Sequence, residues 1–376
     1  DNIKSKLKGI KTKNYGIQVR ANTFKFGKNN SVIPNSDAIS YALAISNSGN
    51  AKKIYLAGFD GFTADDPRRI EIDRLYFYHA QGVNKLSFGI QDFDKKVQIA
   101  INRIQPAELT EKLLTQDIRD KFKAVNFDLL VGLPEQTNES LKNTVTKVCE
   151  MSPDRVSLAY LHYGPKYHVH QRLMLKDGLL PDFYERKELF EEAVNILIGN
   201  GYVRTGFEHF ALPTDDVAKA AKKKTALYNS LGSTSGDVGN IITVGKSAYS
   251  TIGKYYFQAP YDQEKYSSAL DKGEIPIFRG FKLSEDDFIR REIIKSIRTF
   301  FEYDFSNLEL HNSYKEIFSN EFENLKEFED DGLINIKNKK IILTENGKHF
   351  SNLIGSVFDK YVKRKPFRTN IPVLVA

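Results

Sequence analysis

Asp128 stands inside Asn126–Val131 (NFDLLV), between apolar neighbours. A carboxylate in such a run has to be hydrogen-bonded or charge-paired, because unpaired burial is costly. Two roles fit it: buried partner of Arg103, or ligand for a polar group at a strand end. Gln91 and His162 also fall where apolar runs stop, so these three are the polar residues to watch. His162, His168 and His170 occur together in YLHYGPKYHVHQR. That spacing fits no named zinc motif and has no acidic helix partner, so the three are taken as exposed or structural histidines, and no metal site is expected. Glu208 and His209 put a carboxylate beside an imidazole, but neighbours on a strand point to opposite faces. Adjacency therefore does not make them a pair, and either remains a candidate substrate contact or a structural group. Gly245-Lys246-Ser247 has the ending of a phosphate-binding loop, yet Asn240 holds the place of the earlier glycine, and that reading is rejected. The chain has one cysteine. Cys149 lies on the apolar side of a helical pattern, which makes it a packing residue. A single thiol forms no internal disulfide, no four-cysteine zinc site and no all-cysteine iron–sulfur site.

The elements that must position these residues are legible as alternating β and α units. Gly16–Phe26 alternates like a strand, Asp37–Ser46 has a helical pattern, Lys53–Phe59 is a short buried run, and Ile70–Ala80 is helical. From Lys85 the rhythm becomes regular. Strands are predicted over Lys85–Ile90, Asn126–Val131 and Arg155–Leu161. Helices are predicted over Asp94–Arg103, Glu108–Lys121, Asn138–Met151 and Glu185–Gly201. Short turns between such units argue for parallel strands with covering helices. Chemistry in sheets of this kind gathers at the strand C-terminal ends. Beyond a boundary near 270–283, Ser284 caps a helix running to Phe301. Asp331–Gly347 then has the pattern of a hairpin turning near Asn338-Lys339. Helix, hairpin and helix together make a winged-helix-like module.

Composition limits the function classes. With 41% hydrophobic residues in 376, there is material for a sizeable core, and global disorder is excluded. No apolar run approaches the ~20 residues of a membrane span. No signal peptide or lipidation motif is recognised, so a cytoplasmic home is expected. The formal charge is +7, and residues 1–30 carry eight basic residues against one acid, which is the whole excess. The remaining residues are balanced, so nucleic acid is not the expected partner, although lysines on the hairpin and tail leave a binding role for the winged end open.

Six stretches in order carry a resemblance. They are Leu86–Phe93 (LSFGIQDF), Val97–Gln105 (VQIAINRIQ), Asn126–Thr137 (NFDLLVGLPEQT), Ser152–Ser157 (SPDRVS), Gly206–Asp216 (GFEHFALPTDD) and Phe278–Ser296 (FRGFKLSEDDFIRREIIKS), followed by Asp331-Gly332-Leu333 and Phe358–Tyr361 (FDKY). From about Gly82 onward the chain resembles the oxygen-independent coproporphyrinogen III oxidases, radical S-adenosylmethionine (SAM) enzymes, over about four-fifths of its length. The resemblance implies an α/β fold, a partial (β/α) barrel followed by a mostly helical C-terminal domain with the winged-helix-like hairpin. It implies a [4Fe–4S] cluster that cleaves SAM reductively, an electron donor, and oxidative decarboxylation of two propionates of coproporphyrinogen III to vinyl groups. Carried over by motif, Gln91 and Arg103 look like ligands of a first SAM and Asp128 its ribose ligand. Leu130, His162 and Tyr249 look like positions near a second SAM. A monomer is expected.

The chain also departs from the family pattern. Val131 stands where the family usually has Tyr, His162 where it has Ala, Thr243-Val244-Gly245 where it has Gly-x-Gly, and Glu208 where it has Asp. The family's CxxxCxxC loop, its Gly-Gly-Thr-Pro strand and a SAM-binding Glu are expected before Gly82 and do not occur in these residues. Residues 15–80 are instead similar to the C-terminal part of aldolase-like proteins, around IPNSDAISYALA and KIYLAGFDGFTADDPR. The expectation is a chimera joined near 78–84, with segments 1–83, 84–270 and 271–376. The function implied is a coproporphyrinogen III dehydrogenase, inactive in this chain because the cluster loop is absent. The alternatives are an aldolase-like carbon–carbon lyase fragment and a non-catalytic binding protein using the winged end.

Overall fold

The computed structural model describes residues 72–164, 171, 180–229, 232–235, 240–308 and 314–362, together with the backbone of four strands nearer the N-terminus. His168, His170 and the helix expected over 37–46 lie outside the described residues. The chain forms two compact units, residues 1–54 with 237–289 and residues 55–236 with 290–376. The segments drawn above divide the chain by ancestry, whereas these units divide it by packing.

In the smaller unit, β1 (Gly16–Val19), β2 (Lys25–Phe26) and β3 (Asn30–Ile33) form a sheet in which β1 and β3 are parallel. Of the strand expected over 16–26, residues 16–19 and 25–26 are described, as β1 and β2. In the larger unit, β4 (Ile54–Asp60) is followed by α1 (Ile72–Ala80), β5 (Val83–Gln91) and α2 (Lys95–Ala100). Asp94 caps α2 by accepting from the Lys96 and Val97 amides. The helix expected over 108–121 is two helices, α3 (Ala107–Leu113) and α4 (Gln116–Lys121). Thr115 breaks it, accepting from the Ile118 amide and starting a fresh turn.

Next come β6 (Ala124–Val131), α5 (Asn138–Met151), β7 (Arg155–Tyr160), α6 (Phe183–Gly199), β8 (Val203–Arg204) and β9 (His209–Ala211). Capping boxes start α5 at Thr137 and α6 at Asp182. The sheet order is β4-β5-β6-β7-β9-β8, with β5, β6 and β7 parallel and β9 antiparallel to both neighbours. The α/β class with a parallel sheet is therefore the observed one. Val125, Phe127, Leu129 and Val131 of β6 are completely buried, and Leu86, Phe88 and Ile90 of β5 nearly so. That apolar face is the main core.

After α7 (Asp216–Lys222), a small hairpin of β10 (Leu227–Asn229) and β11 (Gly232–Thr234) also belongs to the larger unit. The smaller unit adds an antiparallel sheet of β12 (Tyr249–Ile252), β13 (Tyr255–Gln258) and β14 (Arg279–Lys282), with α8 (Gln263–Asp271) between the last two strands. Helix α9 (Glu285–Phe300) leads into β15 (Glu302–Asp304), α10 (Tyr314–Ile317) and α11 (Ser319–Asp330). The hairpin of β16 (Ile334–Lys337) and β17 (Lys340–Leu343) turns at Asn338 and Lys339, both left-handed with φ of 50° and 64°. Two left-handed central residues make the tight turn whose twist suits paired strands. Helices α12 (Glu345–Lys348) and α13 (Ser351–Gly355) follow. Phe305, Phe318 and Phe358 pack ring to ring beneath this module, 5.8–6.2 Å between centroids. Among the described residues, no helix is long and apolar enough to cross a membrane.

Candidate functional site

Strand register gathers one set of polar side chains. Asn126 and Asp128 alternate with the buried residues of β6 and so share its other face. Ser87 lies opposite Asn126, Ser157 opposite Asp128, and His209 opposite Ser157. The five therefore line one face across β5, β6, β7 and β9. The Ser87 hydroxyl donates to Asp128 Oδ2 at 2.8 Å, and the Asn126 amide to Oδ1 at 2.7 Å. The same amide nitrogen lies 2.8 Å from the Ser87 hydroxyl, and Ser157 donates to the Asn126 carbonyl oxygen at 3.2 Å. Asp128 is held by neutral donors on a half-buried face. A carboxylate so oriented keeps acceptor capacity for further donors.

The C-terminal end of β5 bends around this row. The register slips between Gly89 and Gln91, and Gln91 takes a left-handed φ of 66°. Asn102, with φ 52°, reverses the chain after α2. The Gln98 amide, 3% exposed, fixes the loop that follows. Its nitrogen donates to the Asp92 and Gln105 carbonyls, and its oxygen accepts from the Gln105 amide. The Arg103 guanidinium is thereby placed to donate to the Gly89 carbonyl, in the residue paired with Asp128. Gln91, Arg103, Asp128 and Leu130 are thus brought to one end of adjacent strands.

A buried network fixes that end, and the sequence reading missed it. Asp92 is completely buried. Its Oδ1 accepts from the Thr144 hydroxyl at 2.6 Å and the Asp94 amide at 2.7 Å, and its Oδ2 from the Gln136 amide at 2.7 Å. Gln136 also donates to the Leu130 carbonyl and accepts from the Gly132 amide. One carboxylate thus ties the end of β5 to the end of β6 and to α5. Burial raises the Asp92 carboxyl above its ordinary range, against its hydrogen bonds. Gly132 has φ 88°, and a Cβ there would lie 2.4 Å from the Arg186 side chain, so glycine is needed at this turn. The signal in sequence was a strand-end Asp followed 44 residues later by Gln136, a separation no local pattern connects.

The other candidates are placed differently. His162 is exposed just past β7, its carbonyl accepting from the Gln171 amide. Tyr249 lies on β12 in the smaller unit. Glu208 sits in the bend before β9, its carbonyl accepting from the Leu158 amide, and burial raises its carboxyl while Arg298 opposes that shift. Burial likewise raises Cys149 to about 11, so this thiol stays protonated at neutral pH. Among the described residues, no group of three or more His, Cys, Asp and Glu could hold a metal ion.

His209 is covered by the β10–β11 hairpin: a Cβ on Gly232, itself at φ 83°, would lie 2.5 Å from its ring. Burial, then the positive charges of Arg298 and Arg155, lower His209 to about 4. Its folded value lies below the ordinary 6.5, so its contribution to stability is full above 6.5 and lost as pH falls toward about 4. Urea midpoints should therefore drop between pH 7 and pH 5, and His209→Gln should flatten that drop. Equal slopes in both proteins would remove His209 from the acid response.

No family profile matches the chain. The oxygen-independent coproporphyrinogen III oxidase of Salmonella typhimurium is 35% identical over 304 residues, covering 80% of this chain and 66% of the relative. That of Escherichia coli is 34% identical over the same coverage, and that of Helicobacter pylori 33% over 79% of this chain. A solved structure, the Escherichia coli coproporphyrinogen III oxidase described as a radical SAM enzyme, superposes with a TM-score of 0.75 at 32% identity, covering 86% of this chain and 74% of that one. The parallel sheet with helices beyond it is thus a radical SAM enzyme fold. The chain belongs to the oxygen-independent coproporphyrinogen III oxidase family, and it spans 66% of the length of the first of these curated relatives.

Proposed function

We propose that these residues form the SAM-holding and substrate-facing part of an oxygen-independent coproporphyrinogen III oxidase, and that by themselves they do not cleave SAM reductively. The observation that carries the first half is the Asp128 row, which runs across the parallel strands of a fold shared with the solved oxidase. Asp128 would accept the two ribose hydroxyls of SAM. Arg103, with Gln91 beside it, would take the amino-acid carboxylate, since a guanidinium and a carboxylate make charge-assisted bonds. Leu130, on the same face as Asp128, would lie near a second SAM. In an enzyme that also holds a reduced [4Fe–4S] cluster, one-electron cleavage of SAM would supply the hydrogen-abstracting chemistry that turns propionates of coproporphyrinogen III into vinyl groups. The role of this chain's residues is to orient SAM and exclude water around it.

The cluster is a different case. These 376 residues include one cysteine, and it is a half-buried thiol held protonated. They do not supply three thiolates, so no step is derived through a [4Fe–4S] cluster here. Anaerobic reconstitution with iron and sulfide should leave the protein colourless and yield no deoxyadenosine from SAM under reductant. A brown protein with cluster absorbance and deoxyadenosine formation would falsify the second half of the proposal.

A further inference from the structure

A second polar constellation lies in the smaller unit, and the SAM-holding row does not account for it. Tyr249, Gln258 and Arg279 form one cross-strand row: Tyr249 pairs with Gln258, and Gln258 with Arg279. Gln258 at the centre is 2% exposed, and its side-chain amide is used at both ends. Its nitrogen donates to the Ser247 carbonyl at 3.1 Å and the Tyr261 hydroxyl at 2.8 Å. Its oxygen accepts from Arg279 Nε at 2.6 Å. Arg279 Nη2 donates to the Tyr249 hydroxyl at 3.2 Å, and the two phenol oxygens lie 3.4 Å apart.

A buried amide therefore holds a guanidinium and two phenols around one point. Tyr249 is 47% and Tyr261 58% exposed, so that point opens outward within its own unit. Arg279 is itself exposed, and beyond its bonds to Gln258 and Tyr249 no described carboxylate pairs with it. A fixed guanidinium fork flanked by hydroxyl donors is the geometry that recognises a carboxylate with several bonds at once.

We infer that Arg279, Tyr249 and Tyr261 form a carboxylate clamp, held ready by Gln258. This rests on the family reading above, which offers two carboxylate sources, a side chain of the tetrapyrrole substrate and the amino-acid end of SAM. The charged substrate is polyanionic, so one of its carboxylates is the ligand expected here.

The test is binding of coproporphyrin III, a stable oxidised analogue with the same carboxylates, followed by its Soret shift. SAM is measured in parallel by equilibrium dialysis. Both use the full chain, and melting curves check the fold. Arg279→Gln should weaken coproporphyrin binding roughly 10- to 100-fold, as loss of charge-assisted bonds does. Tyr249→Phe, which removes one exposed hydroxyl, should weaken it several-fold and keeps the test decisive should the arginine variant fold poorly. Weakened porphyrin with unchanged SAM supports the clamp on the substrate. Weakened SAM alone supports the clamp but assigns it to SAM. Both affinities unchanged in both variants overturns the clamp and leaves the family reading intact. No porphyrin or SAM binding by the unaltered chain overturns both together.

Discussion

Asp92→Ala is expected to lower the unfolding free energy of the larger unit by about 3 kcal/mol, more than any other single polar truncation around the site. The carboxylate accepts three hydrogen bonds in a completely buried position. Removing it leaves the Thr144 hydroxyl, the Asp94 amide and one Gln136 hydrogen without an acceptor. The Thr144 and Gln136 donors are buried and the Asp94 amide partly so, and the penalty is that of desolvated groups left without a bond. Thr144→Val, which removes one donor and keeps the shape, should cost about 1 kcal/mol by comparison. The pH dependence has a definite sign. The folded value of Asp92 is raised above 3.8 by burial. Its contribution is therefore greatest below 3.8 and is lost as pH rises through the folded value. Asp92→Ala should remove that slope as well. Urea denaturation across acidic pH measures both. A loss under 1 kcal/mol would mean that solvent enters the network and that Asp92 does not set the strand ends.

Asp128→Ala should do the opposite: large in binding, small in stability. The two donors to Asp128 are already neighbours, with the Asn126 amide 2.8 Å from the Ser87 hydroxyl. Truncation leaves them a partner in each other, on a half-buried face that water reaches. A stability change within about 1 kcal/mol is expected. SAM affinity, in contrast, should fall roughly 100-fold, because the variant loses a carboxylate that accepts two hydroxyls. Asp128→Asn should sit between the two, keeping one acceptor oxygen. Arg103→Lys should also weaken SAM, since an ammonium does not reproduce the two-pronged contact.

The legible parts of this structure are those set by local pattern. The placing of Asn126 and Asp128 on one face follows from strand alternation, whereas Glu208 falls in the bend before β9, where that rule does not apply. The turn at Asn338-Lys339 was readable between two apolar runs. Helix ends were less so. The apolar spacing runs through Leu114-Thr115 without a gap, yet Thr115 starts a new helix with its own hydroxyl. What could not be read were contacts that depend on register and crossover. Ser87 meets Asp128 across 41 positions, and Thr144 meets Asp92 across 52. Before the sheet is formed, nothing distinguishes Asp92 from any strand-end aspartate. The row of Tyr249, Gln258 and Arg279 is hidden in the same way, because α8 intervenes between the strands that carry Gln258 and Arg279.

Asp128, on the polar face of β6, is expected to hold SAM without any cluster in these residues. Equilibrium dialysis of SAM against the full chain and its Asp128→Ala variant measures this directly, with melting curves taken on the same samples. Saturable binding to the unaltered chain, a roughly 100-fold weaker constant in the variant and closely similar melts are expected. Equal affinity in the two proteins, or no binding to a well-folded chain, would contradict it.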